Sequence, residues 1–243
     1  MPKFFEDNLK PDDNFYIVEG ENAKHISYSL RHKVNDKIIL CDKKGMDYEC
    51  TITRFSGDFV EVKIDEIKKN LCEPNIKAVL FQSLLKGDKM EEIIQKSVEL
   101  GVFEIYPVLT SRCIIKPDKN FKKKIERYNK ISLEAAKQFQ IGITIKVYDV
   151  ITYNEMLEKM KEFDKAIILY ENENDIHLRE YIEKNDFNNI ALGIGCEGGY
   201  SKDEIEKAKQ AKIETATLGK RILRAQTAPV CALSCIMFQS GNL

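Results

Sequence analysis

Apolar and polar residues alternate along the N-terminal part of the chain. Within residues 60–65, valine and isoleucine alternate with Glu, Lys and Asp, and a similar alternation runs through residues 51–55. A period of two is typical of half-exposed antiparallel strands. The pattern predicts strands at residues 15–19, 38–41, 48–55 and 59–67, with one helix at about 22–32. A small barrel-like fold fits this arrangement best.

The pattern changes after a polar segment, residues 68–74, which ends in proline and predicts a linker. Continuous apolar segments then alternate with amphipathic ones. They predict strands at 76–85, 103–109, 143–147, 166–170, 190–194 and 213–217, and helices at 88–100, 121–140 and 227–239. Strands that are apolar on both faces are typical of a buried parallel sheet. We therefore expect two domains, residues 1–72 and an α/β domain at 73–243.

Particular residues mark where several of these helices begin and end. Gly101 is expected as the C′ glycine of the first helix of the α/β domain. Ser201 and Glu204 have the spacing of a capping box. Thr227 is expected as the N-cap of the last helix, with Pro229 tolerated in its first turn.

Composition limits the possible partners and compartments. The 243 residues include 38 Lys and Arg against 39 Asp and Glu, so a nucleic acid would have to bind local basic patches. The seven cysteines are scattered without a CxxC pair, which argues against a disulfide framework or a zinc ribbon. The chain starts without an apolar secretory segment, and no apolar run approaches the roughly 18 residues that span a bilayer. We expect a reduced, cytoplasmic protein without membrane or metal.

Two loops in the C-terminal third carry candidate chemistry. The glycine loop (residues 195–199), with Gly193 before it, follows an apolar strand and leads into a helix. It indicates either a tight turn or a ligand close to the backbone, and its GxGxxG spacing is only superficially that of a dinucleotide site. The basic loop (residues 218–228) has three cationic side chains and lacks the residues of a P-loop. It could meet phosphate, a base carbonyl or an acid, or be a solvated loop.

Taken together, these loops resemble the paired cofactor motifs of a known family. GCEGGYS at 195–201 followed by LGKRILRAQTA at 218–228 is similar to the RsmE family of SPOUT-class RNA methyltransferases. Further similar stretches are KGDKME at 86–91, QKSVELGV at 95–102, SR at 111–112, EAAKQ at 134–138, MPKFF at 1–5, and His25 with LR at 30–31. The resemblance follows the order of the family motifs over nearly the whole chain.

The resemblance implies a fold and an activity. The fold would be a PUA-like β-barrel followed by a SPOUT-type, trefoil-knotted α/β methyltransferase domain, in a homodimer whose active sites are completed across the interface. The activity would be methyl transfer from S-adenosyl-L-methionine to N3 of a uridine in 16S rRNA, either free or in the small ribosomal subunit. Alternatives are methylation of another base or a ribose, a non-catalytic RNA-binding protein, and, as a distant third, a nicotinamide-dependent enzyme.

The resemblance also assigns roles to residues. The expected cofactor-binding residues are Leu169, Tyr170, Glu171, Gly195, Cys196, Glu197, Gly198, Gly199, Leu218, Gly219, Ile222, Leu223, Arg224, Thr227 and Ala228. Arg224 and Arg221 would stabilise negative charge on the uridine carbonyls, and Gln138 would orient a base edge. Glu197 would hold loop amides or the polar end of the cofactor, unless it is only a loop cap. No metal is required.

Basic residues supply the expected RNA contacts, although a run of charge is often only a solvated face. The candidates are Lys3, His25, Arg31, Lys86, Lys89, Arg112, Lys122, Lys123 and Lys124, with Lys10, Lys24, Lys33, Lys116, Lys119, Arg127 and Lys130 extending the patches. His32 could contact RNA or make a structural hydrogen bond. Three features depart from the family pattern: Cys196 replaces a common proline, Gln226 a common acid, and residues 139–144 lack an expected Arg and Pro.

Overall fold

The computed structural model describes residues 1–7, 9, 14–118, 121–184 and 186–243. The chain divides into two units, of which the first comprises Met1–Glu73 and Ala136–Thr144. The second comprises Pro74–Ala135 and Ile145–Leu243. The first unit thus includes a segment that lies far along the sequence. Lys10 and Lys119, both expected to extend basic patches, lie outside the described residues.

The first unit contains a five-stranded sheet with the strand order β1-β3-β4-β5-β2. Its strands are β1 (Lys3–Phe5), β2 (Phe15–Val18), β3 (Lys37–Cys41), β4 (Met46–Ser56) and β5 (Phe59–Lys69). All neighbours are antiparallel except β1 and β3. The four predicted strands are confirmed, and their inward residues, including Ile38, Leu40, Ile52, Val60 and Val62, form the core of this unit. The strand β1 was missed because three residues are too few to show a period.

The predicted helix at 22–32 is wrong in form and length. The chain makes α1 (Gly20–Lys24), continues as a π-helical turn over His25–Ser29, and leaves the helix before Arg31. Arg31 has a φ of +54°. A non-glycine residue in this left-handed region does not continue a right-handed helix, so the helix ends earlier than its apolar pattern suggests.

Buried polar contacts join the segment Ala136–Thr144 to the rest of the first unit. The Lys3 ammonium donates to Asp47 Oδ2 and to the Gln140 carbonyl, both at 2.8 Å. Asn70 Nδ2 donates to the same two groups at 2.8 and 3.0 Å. The Gly142 amide donates to Glu73 Oε1 at 2.5 Å. Because the Lys3 side chain is only 1% exposed, its expected contact with RNA is contradicted by the structure.

The second unit is an α/β structure around a seven-stranded sheet in which every pairing is parallel. The strand order is β12-β10-β11-β6-β7-β8, with β9 beside β7. The strands are β6 (Lys77–Ser83), β7 (Glu104–Leu109), β8 (Lys146–Val147), β9 (Ile151–Thr152), β10 (Lys165–Leu169), β11 (Asn189–Ile194) and β12 (Glu214–Ala216). The predicted parallel α/β class is confirmed. The strand predicted at 143–147 is reduced to β8, because residues 143 and 144 belong to the first unit.

Six helices connect or follow these strands in the described part of the unit. They are α2 (Lys89–Glu99), α3 (Phe121–Gln138), α4 (Tyr153–Met160), α5 (Leu178–Lys184), α6 (Lys202–Gln210) and α7 (Thr227–Gln239). The helix α3 ends at Gln138 rather than 140, and Gln140 has a φ of +58°. Gly101, with a φ of +81°, follows α2 as predicted.

The caps of α6 and α7 differ in how well the sequence predicted them. The capping box of α6 is confirmed, since Ser201 and Glu204 bond each other's backbone amides reciprocally. Thr227 as the N-cap of α7 is wrong, because the cap is Gln226, which already has helical angles. The Arg224 carbonyl accepts from the amides of Thr227 and Ala228 at 2.8 and 3.0 Å, so the chain turns before Thr227. Pro229 lies in the first turn, as predicted.

Candidate active site

Three loops leave the carboxyl ends of three adjacent parallel strands. The strand β10 lies between β11 and β12, with Ile168 opposite Gly193 and Leu169 opposite Ala216. The loops that follow these strands therefore meet at one edge of the sheet, where ligands of open α/β sheets bind. They line a cavity of about 830 Å³, a volume in the range of small-molecule and cofactor sites.

Most residues expected at a cofactor site line this single cavity. They are Leu169, Tyr170, Glu171, Gly195, Cys196, Glu197, Gly198, Gly199, Leu218, Gly219, Ile222, Leu223, Arg224 and Ala228. Arg221, expected to take part in the reaction, lines the cavity as well. Thr227 is the exception: the lining includes Gln226 and Ala228 on either side of it, while Thr227 is exposed. Other residues that the sequence did not indicate also line the cavity, among them Glu173, Asn174 and His177. These three lie in a loop without a motif, so no sequence signal identified them.

The glycine loop combines a tight turn with close packing. The Gly199 amide donates to the Cys196 carbonyl at 2.9 Å, and Gly199 has a φ of +64°. A Cβ on Gly195 would lie 3.1 Å from Gly199 Cα, so the two arms of the turn touch. A Cβ on Gly199 would lie 2.5 Å from Glu171 Oε1. Glycine at residue 199 therefore avoids both backbone strain and a displacement of the Glu171 carboxylate.

Charged side chains bond the tip of the glycine loop. Lys89 Nζ donates to Glu197 Oε1 at 2.8 Å, and the Lys86 amide donates to the same oxygen at 3.4 Å. Burial alone would raise the pKa of the Glu197 carboxyl, but these bonds and the Glu197 amide hold its pKa below the ordinary value. Arg112 Nη1 donates to the Gly198 carbonyl at 2.7 Å. Lys89 and Arg112, both expected to bind RNA, thus also hold this loop.

Hydrogen bonds fix the side chain of Glu173, which lines the cavity. Thr215 Oγ1 donates to Glu173 Oε2 at 2.5 Å, and the amides of Asn174 and Asp175 donate to Oε1 at 3.0 Å. Although burial raises the pKa of the Glu173 carboxyl, these donors together lower it below the ordinary value. Glu173 is therefore an ionised, fully bonded group. By contrast, Glu171 has no hydrogen-bond or ion-pair partner among the described residues.

The basic loop presents unpaired cations to the cavity. Lys220, Arg221 and Arg224 are exposed and line it. Within the described ranges, neither guanidinium has an ion-pair or side-chain hydrogen-bond partner. Both arginines are therefore available to a ligand.

A second buried thiol lies beside Cys196. Cys113 Sγ is 3.1 Å from Thr110 Oγ1, and Cys113 and Cys196 are both buried. Contact between the two thiols lowers the pKa of Cys113 and raises the pKa of Cys196. Cys196 thus contributes a thiol contact where a proline would supply only a fixed φ.

The remaining predicted residues lie outside this cavity or in the first unit. Gln138 is exposed at the end of α3 and belongs to the first unit, as do the exposed side chains of His25 and Arg31. His32 bonds Asp36 at 3.0 Å, which is the structural alternative considered for it. Four lysines expected to bind RNA are exposed: Lys86, Lys122, Lys123 and Lys124.

No group of three or more His, Cys, Asp or Glu side chains in the described part of the chain could hold a metal ion. Among the helices that the structure describes, none is long and apolar enough to cross a membrane.

Comparison with known proteins finds matches over nearly the whole chain. A family model described as an RNA methyltransferase domain matches residues 72–237, and one described as an RNA methyltransferase PUA domain matches residues 9–65. The ribosomal RNA small subunit methyltransferase E of Bacillus subtilis is 35% identical over 94% of this chain and 91% of its own length. The protein of that name from Mesomycoplasma hyopneumoniae is 32% identical over 96% and 98%.

A solved structure agrees with these matches. The structure of ribosomal RNA small subunit methyltransferase E from Neisseria gonorrhoeae bound to S-adenosyl methionine has a TM-score of 0.87 and 29% identity, and the match covers 98% of this chain and 97% of that one. The resemblance noted in the sequence is confirmed. Three loops around one cavity, together with relatives above 30% identity over nearly their whole length, show that the chain belongs to the RNA methyltransferase family of ribosomal RNA small subunit methyltransferase E.

Proposed function

We propose that the chain transfers a methyl group from S-adenosylmethionine to N3 of a uridine in 16S ribosomal RNA. The observation that carries the proposal is the cavity between the glycine loop and the basic loop in a member of this family. The Bacillus subtilis relative is named for small-subunit ribosomal RNA, and the Neisseria gonorrhoeae relative was solved with S-adenosyl methionine.

The cavity fits the chemistry of that cofactor. Gly195, Gly198 and Gly199 line the cavity without side chains of their own. The space that a Cβ on each would need is filled by Gly199, Arg112 and Glu171, so these glycines let the walls of the cavity pack closely. Leu169 and Leu223 supply apolar lining suited to a purine ring. Hydroxyls and an ammonium group require acceptors, and the unpartnered carboxylate of Glu171 is one. The remaining lining residues of the three loops would complete the cofactor site.

S-adenosylmethionine supplies a methyl group that is already activated on a sulfonium. The chain has to bring uridine N3 into line with it and to stabilise the charge that spreads onto O2 and O4 as N3 loses its proton. Arg224 and Arg221 suit that role, since they line the cavity with free guanidinium groups. Permanently charged groups stabilise an anion and are poor general bases. Gln138 is assigned to orient the base edge, and Glu197 to support the glycine loop.

RNA binding is assigned to basic residues that remain exposed or partly exposed. N3 is hidden in a Watson–Crick pair, so the uridine has to be unpaired or flipped when it binds. We assign backbone contacts to Lys86, Lys89, Arg112 and the lysines at 122–124 in the second unit. His25 and Arg31 are assigned to the first unit. Lys3 is excluded because its ammonium is buried.

The proposal extends to architecture and assembly. We assign RNA binding to a PUA-like β-barrel at residues 1–72 and catalysis to a SPOUT-type, trefoil-knotted domain at 73–243, in a cytoplasmic homodimer. Support for the knot is that α7 follows the edge strand β12 yet packs on α2 and on β6 in the interior of the sheet. Support for a dimer is that α7 contains no charged residue and leaves Phe238 72% exposed.

Methyl transfer from labelled S-adenosylmethionine to small ribosomal subunits that lack native base methylation tests the function, with nucleoside analysis as the readout. The expected product is 3-methyluridine. Label in a different nucleoside would exclude N3 of uridine and favour another methylation target. Cofactor binding without transfer would exclude this substrate, and binding of RNA without cofactor would favour a non-catalytic RNA-binding protein.

A further inference from the structure

Arg112 contacts the glycine loop with both its stem and its head. Its Nη1 donates to the Gly198 carbonyl at 2.7 Å. A Cβ on Gly198 would lie 3.2 Å from Arg112 Cβ and 3.4 Å from its Cδ, so the aliphatic stem packs flat against the loop. Gly198 therefore has no side chain at the place where Arg112 crosses it. The contact fixes one peptide group of the loop in position and in orientation.

The backbone beside Arg112 is itself fixed by a buried carboxylate. Glu204 is 6% exposed, and its Oε1 accepts from the Ser111 amide at 2.8 Å. Its Oε2 accepts from the Ser201 amide, also at 2.8 Å, and Tyr153 donates to the Glu204 carbonyl at 2.6 Å. Ser201 begins α6, shortly after the glycine loop. One carboxylate thus ties the residue before Arg112 to the chain that leaves the loop.

We propose that Arg112 is a positioning residue of the cofactor loop, which holds residues 195–199 in the conformation that receives S-adenosylmethionine. The inference rests on the proposed function in taking that molecule as the ligand. The loop carries three glycines and a cysteine where a proline is common, so its own backbone does little to restrict it. A binding-competent conformation that is only partly populated weakens the apparent affinity in proportion. The bond from Arg112 keeps that population high.

This role is separable from RNA binding. An arginine that only contacts phosphate changes the affinity for RNA and its salt dependence, and leaves cofactor affinity unchanged. A positioning arginine changes cofactor affinity even when no RNA is present. Arg112 is exposed beyond its bond to Gly198, so both effects can be measured on the same variants.

The test compares Arg112→Ala and Arg112→Lys with wild type in the absence of RNA. Calorimetry gives the Kd for S-adenosylmethionine, and hydrogen exchange of residues 195–199 is followed in the cofactor-free protein. We expect Arg112→Ala to raise the Kd by about tenfold, the effect of one such bond, and to accelerate exchange. The lysine of Arg112→Lys can donate to the same carbonyl, so this variant should recover part of the cofactor affinity and part of the slow exchange. Arg54→Ala, which removes an exposed pair with Glu61 at 3.2 Å, is the matched control and should change neither.

Unchanged Kd and unchanged loop exchange in Arg112→Ala would overturn the inference and return Arg112 to RNA contact alone. If Arg112→Ala lowers the thermal midpoint of the whole protein, the comparison rests on Arg112→Lys. An Arg112→Lys variant that recovers neither cofactor affinity nor slow loop exchange would contradict a role for the hydrogen bond. If wild type itself fails to bind S-adenosylmethionine, the proposed function fails. Loop exchange in the cofactor-free protein then still shows whether Arg112 holds the loop.

Discussion

The carboxylate of Glu171 occupies the space that a side chain on Gly199 would need. A Cβ there would lie 2.5 Å from Glu171 Oε1 and 2.7 Å from Oε2, well inside van der Waals contact. Gly199 also has a φ of +64°, where a Cβ is strained. Glycine at residue 199 therefore avoids both the strained φ and a displacement of the Glu171 side chain.

Gly199→Ala should weaken S-adenosylmethionine binding and lower the free energy of unfolding by about 1 kcal/mol or more. Gly57→Ala is the matched control, since Gly57 has a φ of +57° and open space around its Cβ position. Gly57→Ala should lower the free energy of unfolding through backbone strain, and it should leave the affinity for S-adenosylmethionine unchanged. Calorimetry and thermal unfolding measure the two effects. Adding Glu171→Ala to Gly199→Ala should remove the steric part of the unfolding penalty; no such relief would contradict the packing argument.

Arg224→Ala should abolish methyl transfer while leaving the fold intact. The guanidinium is exposed in the cavity without a partner, so its removal disturbs no described contact. Loss of one group that stabilises developing negative charge costs roughly 10²–10³-fold in kcat. Single-turnover assays with small subunits measure the rate, and circular dichroism the fold. Lys220→Ala, from the same loop, is the control and should retain most activity. Wild-type turnover in Arg224→Ala would exclude the electrostatic role.

The sequence predicted the parts of the fold that follow from local periodicity. The parallel α/β class, the bounds of α7 and the capping box at Ser201 and Glu204 are examples. It failed where distant residues decide. Thr227 is a good cap by residue type, but the turn at Arg224 places the cap one residue earlier, at Gln226. Lys3 is a basic residue near the start of the chain, and only the fold shows that Asp47 and Gln140 bury it.

The candidate site shows the same division between features set by local sequence and features set by distant residues. Its glycine and basic loops are local motifs, so the resemblance to the family could assign their residues to a cofactor site, and most of those residues line one cavity. Glu173 and His177 line the cavity from a loop whose sequence carries no pattern. The contact between Arg112 and Gly198 joins residues 86 positions apart, and no single-sequence signal encodes such a pair.

Lys3→Met should destabilise the first unit. The change leaves Asp47 without its buried partner, and breaking one side of a buried ion pair costs about 3–5 kcal/mol. Thermal unfolding measures the loss of stability. Hydrogen exchange of residues 136–144 shows whether that loss lies in the first unit. Lys43→Met is the control, because Lys43 pairs with an exposed Asp7 and such pairs contribute within about 1 kcal/mol. Equal effects from the two substitutions would contradict the buried role of Lys3.

Acidification should loosen the tip of the glycine loop. Bonds from Lys89 and two amides hold the pKa of Glu197 below its ordinary value of 4.5 despite partial burial. A lowered folded pKa means that the ionised carboxylate stabilises the loop above pH 4.5, and that this stabilisation is lost as pH falls through the folded value. Carboxyl NMR titration of Glu197 measures the pKa directly. Lys89→Ala should shift that pKa upward, and an unshifted titration would show that the pair at 2.8 Å contributes nothing.

Neutralising Lys122, Lys123 and Lys124 together should weaken RNA binding and reduce its salt dependence. All three side chains are exposed at the start of α3, where they can approach a phosphate backbone. Each lost phosphate contact lowers the slope of log affinity against log salt by roughly 0.7–0.9, so a triple glutamine variant should lose about 2 in slope. Filter binding at several salt concentrations measures it. Glutamine at Lys202, Lys209 and Lys212, which are equally exposed on or beside α6, provides a control of equal charge. Equal slopes for both triple variants would mean that the α3 lysines form only a solvated face.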